Sequence, residues 1–211
     1  MNKNDGGSRR TARLAALSAV VLLPLVILLF DRQVSSAVAA TARAMPTMVR
    51  MTQISDVLLV SAVVILTAAG LAWLFGWRPG RAGRVVVVAC LAAFVSWAIK
   101  EQLKFAFGRT WPETWTNNNP SWIHDGVFGF FPFHGGSGWG SFPSGHTTII
   151  SAAMMVLAIA WPRLRLLWVV PVLLVAIGLI GADYHFLSDV MAGAYLGAAC
   201  GAVMAGLALP R

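Results

Sequence analysis

The sequence predicts an all-α integral membrane protein, a bundle of six transmembrane helices forming a single domain over residues 1–211. Three observations carry that prediction. Only 11% of the 211 residues are charged and 58% are apolar, whereas soluble domains carry about 25% charged residues. Six apolar runs approach or reach the roughly 20 residues a helix needs to cross the hydrocarbon core. The 16 Lys and Arg, set against 8 Asp and Glu, fall in short clusters between those runs, which is the pattern of the positive-inside rule rather than of a nucleic-acid-binding surface. Disorder is excluded as well, because disordered chains are polar and highly charged.

The first helix is expected over residues 14–30, after a basic start. Its apolar run of 17 residues exceeds the core of a secretory signal, about 7 to 15 residues, so a retained helix is favoured over cleavage near the Ala-rich SSAVAA. The segment from Asp31 to Asp56 contains three Arg. Within it, AVAATARAMPTMVRMTQI reads equally as an amphipathic helix in the membrane interface or as a solvated loop. The second helix covers 57–75. The third starts from Val85 and is lengthened through KEQLKFAF to residue 107; the fourth starts from PSGH and covers 144–161, with a loop over 108–143 between them. Helices over 164–182 and 187–209 complete the bundle. Gly193, Gly197 and Gly201 recur every four residues along the last one, which lets a neighbouring helix of the same chain approach closely. Cys90 and Cys200 lie inside apolar runs and read as small buried hydrophobes.

Lys and Arg counts orient the bundle. With the N-terminus inside, ten of the sixteen lie on that side: Lys3, Arg9, Arg10, Arg13, Arg78, Arg81, Arg84, Arg163, Arg165 and Arg211. Both termini are therefore expected in the cytoplasm. The brief loops point to a bacterial inner membrane, with the opposite face periplasmic.

Ionisable residues near membrane depth are functional candidates by default. Because helices alternate in direction, three such groups emerge at the same outer face although they are far apart in sequence. Lys100, Glu101, Lys104 and Arg109 follow the third helix; Ser144 and His146 open the fourth; Asp183, His185 and Asp189 lie between the fifth and the sixth. Lys104 and Arg109 can bind an anion by charge-assisted hydrogen bonds, although on that segment alone snorkelling anchors are the simpler reading. In SFPSGHTTII, Ser144 is a good N-cap, and a helix N-terminus is a ready anion site. His146 in its first turn can donate a proton near neutral pH. His185 and Asp189 are four residues apart, so on a helix they share a face and the carboxylate can hold the imidazole in one tautomer. Taken alone, a capped helix start with a His is common, and the His185–Asp189 pair is better explained as a helix-end hydrogen bond. Together, two cations, an anion-binding helix start, a candidate acid and a carboxylate-backed candidate nucleophile converge on one face. Phosphoryl transfer is the most economical reaction for such a set.

PSGH at 143–146, the His185-three-residues-Asp189 pattern and the Lys-containing segment ending in Pro112 resemble the type 2 phosphatidic acid phosphatase family. The resemblance implies a six-helix membrane protein around the four-helix phosphatase core. It implies that His185 forms a phosphohistidine, that Asp189 orients it and that His146 protonates the leaving oxygen. It also implies that Lys104, Ser144 and Gly145 grip the phosphate of a lipid phosphate or pyrophosphate substrate. Two positions depart from the pattern. Trp111 stands where the family has an Arg before its Pro, and Leu179 stands where it has an Arg six residues before the His. Arg109 is the nearest substitute, so it joins the expected phosphate-binding set.

The loop holds Trp111, Trp115, Trp122, Phe128, Phe130, Phe131, Phe133, Trp139 and Phe142. An interfacial aromatic belt is the favoured reading, and a lid that admits a lipid tail is the functional one. His124 and His134 share no compact spacing with His146 and His185, so neither a metal nor a cofactor is expected. The alternative to an enzyme is a non-catalytic membrane protein that binds or transfers phospholipid headgroups.

Overall fold

The computed structural model describes residues 3–41, 46–115 and 118–209. Arg43 and Arg211, both part of the charge balance above, lie outside them. Among these residues eight α-helices follow one another: α1 (Lys3–Leu29), α2 (Asp31–Thr41), α3 (Pro46–Leu74), α4 (Arg81–Phe107), the single-turn α5 (Trp122–Asp125), α6 (Gly145–Ala160), α7 (Arg165–Gly181) and α8 (Leu187–Ala208). Among the described residues there is no strand, only isolated bridges. The molecule is thus the all-α membrane protein its composition requires. By length and apolarity, α3, α4, α8 and the segment Pro162–Gly181 can each cross a bilayer. The pair α1 and α2, bent by 50°, counts as a fifth span if it is one.

The expected six spans differ from this at α6. Its 16 residues make about 24 Å of helix at 1.5 Å per residue, short of the roughly 30 Å hydrocarbon core. A Cβ on Gly145 would sit 3.1 Å from Nζ of Lys100, and Lys100 lies seven residues before the end of α4. The N-terminus of α6 therefore lies within the last two turns of α4 rather than beyond its end. This leaves a recess under the 108–143 loop.

The segment 31–56 also differs from expectation. Its described part is helical rather than a loop: Asp31–Thr41 forms α2, and α3 begins at Pro46, eleven residues before the predicted start, while residues 42–45 lie outside the described residues. The reason is packing that the polar composition of the segment conceals. A Cβ on Gly178 would meet the carbonyl oxygen of Met48 and Cβ of Met51 at 2.7 Å. Thr52 and Ser55 are buried and hydrogen-bond their own helix through the carbonyls of Val49 and Thr52.

At the centre, α6 packs against α4 and α8, with α7 and α3 beside them. Small side chains make this possible: Ala92 and Ala93 of α4 and Ala152 and Ala153 of α6 are buried in one cluster with Val85, Val88 and Val156. The α8 glycines complete it. Any side chain at Gly197 would meet the Thr148 carbonyl, and any at Gly201 that of Ala152. Large apolar side chains of α1, α3 and α7, such as Leu22, Val60, Val64, Leu166 and Ile177, instead face outward. A soluble protein could not expose so large an apolar surface.

One ionic cluster ties the chain's two halves together. Arg109, at the start of the loop, is fully buried. Its Nη2 donates to Asp31 Oδ2 at 2.6 Å, and its Nη1 to Ser188 Oγ at 2.6 Å and to Asp189 Oδ1. Asp31 also accepts from the backbone N–H of Ser188 at 2.9 Å. The bend before α2, the loop and the first turn of α8 thus share one set of charged hydrogen bonds.

Four stability outcomes follow. Gly197→Leu forces α6 and α8 apart, an overpacking cost of about 1–3 kcal/mol or more, and should lower the unfolding temperature in detergent. Gly70→Ala, with nothing near its would-be Cβ, should leave that temperature unchanged or raise it slightly. Arg109→Met strands two buried carboxylates and should cost about 3–5 kcal/mol. Arg109→Lys should not restore the loss, because one ammonium cannot reproduce the planar fork between Asp31 and Asp189.

Candidate active site

The loop enters the site through Gly108, whose left-handed backbone (φ 56°) ends α4 and donates its N–H to the Lys104 carbonyl at 2.8 Å. A side chain there would collide with the Phe131 carbonyl, so glycine is required on both counts. Bridges from Arg109 to Phe130 and Gly140, and from Trp111 to Ser121, fold the loop over the end of the bundle. Its aromatics pack on one another and on the site: Phe130 and Phe107 each meet Phe142 edge-on, and Phe128 meets Phe186.

Asp189 stands in the first turn of α8, where its Oδ2 accepts the backbone N–H of Phe186 at 3.0 Å and Ser141 Oγ at 2.6 Å. With Arg109 on Oδ1, the carboxylate is held from both sides. His185 Nδ1 lies 3.5 Å from Asp189 Oδ2 and 3.5 Å from Ser141 Oγ. The imidazole thus turns Nδ1 to the acceptor and leaves Nε2 as the nitrogen with a free lone pair. Burial lowers the His185 pKa to about 4, against the opposing pull of Asp189; the ring is neutral at pH 7.

His185 borders a cavity of about 320 Å³, shared with Lys100, Lys104, Gly145 and His146 and walled by Trp97, Trp111, Trp115 and Tyr184. The Trp111 ring lies 5.1 Å from that of His185, centroid to centroid, and Lys104 Nζ lies 5.7 Å from the Trp111 ring. Trp111 is held by its indole N–H, which donates to the Ser137 carbonyl at 2.7 Å. Trp115 packs edge-on against Tyr184 and donates to the Asp183 carbonyl. His146, about one-third exposed, has Nε2 3.4 Å from Asp56 Oδ1.

The structure therefore brings His185, His146, Lys104 and Gly145 around one cavity, with Asp189 directly behind His185. Ser144 is buried beside them at the N-cap of α6, where its backbone N–H donates to the Asp189 carbonyl at 3.0 Å; its Oγ has no hydrogen-bond partner among the described residues, and Ser144 does not line the cavity. Arg109, expected among the phosphate ligands, does not line it either. Its two terminal nitrogens are engaged by Asp31, Ser188 and Asp189, and the rings of Phe130 and Phe186 lie within 5 Å of its guanidinium carbon. Its place is behind Asp189, on the far side from the cavity. Sequence reasoning missed Asp31, Ser141 and Ser188. Asp31 carried a signal, being an acid directly after a 17-residue apolar run; the two serines carried none. Asp183, in a left-handed turn (φ 54°), accepts from Ser35 of α2 at 3.3 Å, and its pKa is raised to about 7 by burial and by Glu113, against that hydrogen bond.

Known proteins resemble the chain at three levels. A lipid A 1-phosphatase of Rhizobium johnstonii is 36% identical over 97 residues, 46% of this chain and 36% of that protein. A lipid A 1-phosphatase of Rhizobium etli is 34% identical over 96 residues, 45% of this chain and 38% of that protein. The aligned part is thus little more than a third of either relative. The crystal structure of a transmembrane PAP2 type phosphatidylglycerolphosphate phosphatase from Bacillus subtilis superposes with a TM-score of 0.57, over 93% of this chain and 94% of that one, at 19% identity. It shares the fold. Residues 81–209, from α4 through α8 and including every cavity residue except Asp56 and Leu59, match the PAP2 superfamily, and the chain belongs to that superfamily.

Proposed function

We propose that this chain is a membrane-embedded phosphatase that removes phosphate from a lipid phosphomonoester or diphosphate through a phosphohistidine at His185. One observation supports the reading above all: His185 has Nδ1 toward Asp189 and opens on a cavity that it shares with Lys104 and His146. The Nε2 lone pair attacks phosphorus, the bond from phosphorus to the lipid oxygen breaks, and His146 gives that oxygen its proton. Lys104 and the α6 N-terminus at Gly145 face the charge that spreads over the phosphoryl oxygens, while Asp189 stabilises the positive imidazole ring of the intermediate. Water then attacks the phosphorus and yields its proton to His146. The bond to Nε2 breaks, and phosphate leaves with the histidine neutral again.

The names of the two Rhizobium relatives make the phosphate of lipid A the first substrate to try. The lysine and arginine distribution supports an inner-membrane protein with cytoplasmic termini and the cavity open to the periplasm. A second reading, headgroup binding without hydrolysis, is favoured by a specific feature: Trp111 rather than a cation stands against His185, and Arg109 is engaged elsewhere.

Purified protein in detergent, without added metal, should release phosphate from at least one member of a panel of lipid phosphates, and His185→Ala should reduce that release to background. Binding without release by folded, monodisperse protein would establish the second reading instead.

The pH dependence has a definite sign. Protonation removes the His185 lone pair, so activity requires the neutral form and falls as pH drops through its pKa. Because burial lowers that value to about 4, the acid limb of kcat/KM due to this group should lie near pH 4 rather than 6.5, once the substrate's own titration is allowed for. Trp111→Ala lets water reach the imidazole and should move the limb upward.

A further inference from the structure

The cavity holds a second cation that the mechanism above does not use. Lys100 lies one helical turn before Lys104 on α4, so the two side chains lie on the same face, and both line the cavity. Lys100 is 6% exposed. Its ammonium lies against the first residue of α6: a Cβ on Gly145 would be 3.1 Å from both Cε and Nζ of Lys100. A helix N-terminus carries a partial positive charge and leaves backbone N–H groups unpaired. A buried ammonium beside it is repelled rather than stabilised, and its ionic partner is Glu101, on the same turn of α4 and partly exposed. Two positive elements are thus held together at a cavity wall, and the carboxylate that pairs with the ammonium does not line the cavity. An anion placed there would satisfy both, and with Arg109 engaged behind Asp189, Lys100 and Lys104 are the Lys and Arg side chains on the cavity wall.

We propose that Lys100 is a phosphate-binding residue, which together with Lys104 and the α6 N-terminus holds the phosphoryl group of the substrate headgroup. This rests on the phosphatase reading for its substrate, but not for its test. Glu101 then acts as a placeholder whose grip on Lys100 competes with the phosphoryl oxygens.

The experiment is calorimetric titration of the full-length protein in detergent with inorganic phosphate, repeated with a short-chain phosphatidic acid on the His185→Ala background, where it is not consumed. Lys100→Met should weaken both by tenfold or more, and Lys100→Arg should keep both within about threefold. Glu101→Gln should leave binding unchanged or tighten it, because it frees the ammonium. A purely structural lysine would instead make Glu101→Gln as damaging as Lys100→Met, and that result overturns the proposal. So does Lys100→Met binding within twofold of its parent. Weakening of the lipid arm alone overturns the phosphoryl assignment, since Lys100 would then touch another part of the headgroup. Should Lys100→Met fail to fold, Lys100→Gln, which keeps length and polarity but not charge, carries the same expectation. If no lipid in the panel releases phosphate yet Lys100 governs phosphate binding, the hydrolytic reading falls and this one stands; if release is robust and Lys100 is indifferent, the reverse holds.

Discussion

The buried guanidinium of Arg109 is the interaction on which the site depends. Two carboxylates and one guanidinium are wholly removed from solvent, and isolated burial of such charges costs several kcal/mol per ion. The cost is offset where donors and acceptors meet: Nη1 and Nη2 reach Asp31, Ser188 and Asp189, and Asp31 takes a backbone N–H besides, while Nε is left without a partner among the described residues. An interior of this kind rarely adds net stability over an apolar equivalent, so its value here lies in geometry. Three segments distant in sequence are placed so that one carboxylate oxygen of Asp189 is occupied by arginine and the other is left for Ser141, Phe186 and His185.

That division of labour separates the charges that build the site from those that face the cavity. Arg109 positions Asp189 and is screened from the cavity by the very residue it holds. Lys100 and Lys104 line the cavity among Trp97, Trp111, Trp115 and Tyr184, whose apolar faces lower the local dielectric and strengthen any charge interaction within it. The same apolar surroundings keep His185 neutral. On the proposed reading, a phosphoryl group entering such a site meets positive charge on one side and an uncharged imidazole on the other.

Composition and apolar run lengths were enough to read an all-α membrane bundle, and alternation of helix direction was enough to gather Lys104, His146, His185 and Asp189 at one end. Both rest on periodic physics that leaves a local trace. What stayed hidden depends on contacts between distant segments. The early start of α3 comes from Met48 and Met51 meeting Gly178 on α7, and nothing in the polar string TMVRMTQISD announces that partner. The bounds of α6 were legible, within a residue at each end of the predicted 144–161, but its place beside Lys100 of α4 was not. The partners of Arg109 stayed hidden for the same reason: Asp31 lies some 78 residues earlier, and nothing near Arg109 in the sequence points to it.

Depth is the remaining constraint, and small residues set it. Gly193, Gly197 and Gly201 bring α8 so close to α6 that the Ser144 and Asp189 backbones hydrogen-bond directly. This fixes the distance between the helix start that carries His146 and the turn that carries His185. Because α6 is short, the contact occurs below the end of α4, in a recess whose α3 wall includes Asp56 and Leu59 and which the aromatic loop covers from the other end. On the proposed reading, a headgroup that reaches His185 has aromatic faces beside it, Trp111 and Trp115 from the loop and Trp97 from α4, and such a lining suits a phosphate carried on an apolar chain better than a free one.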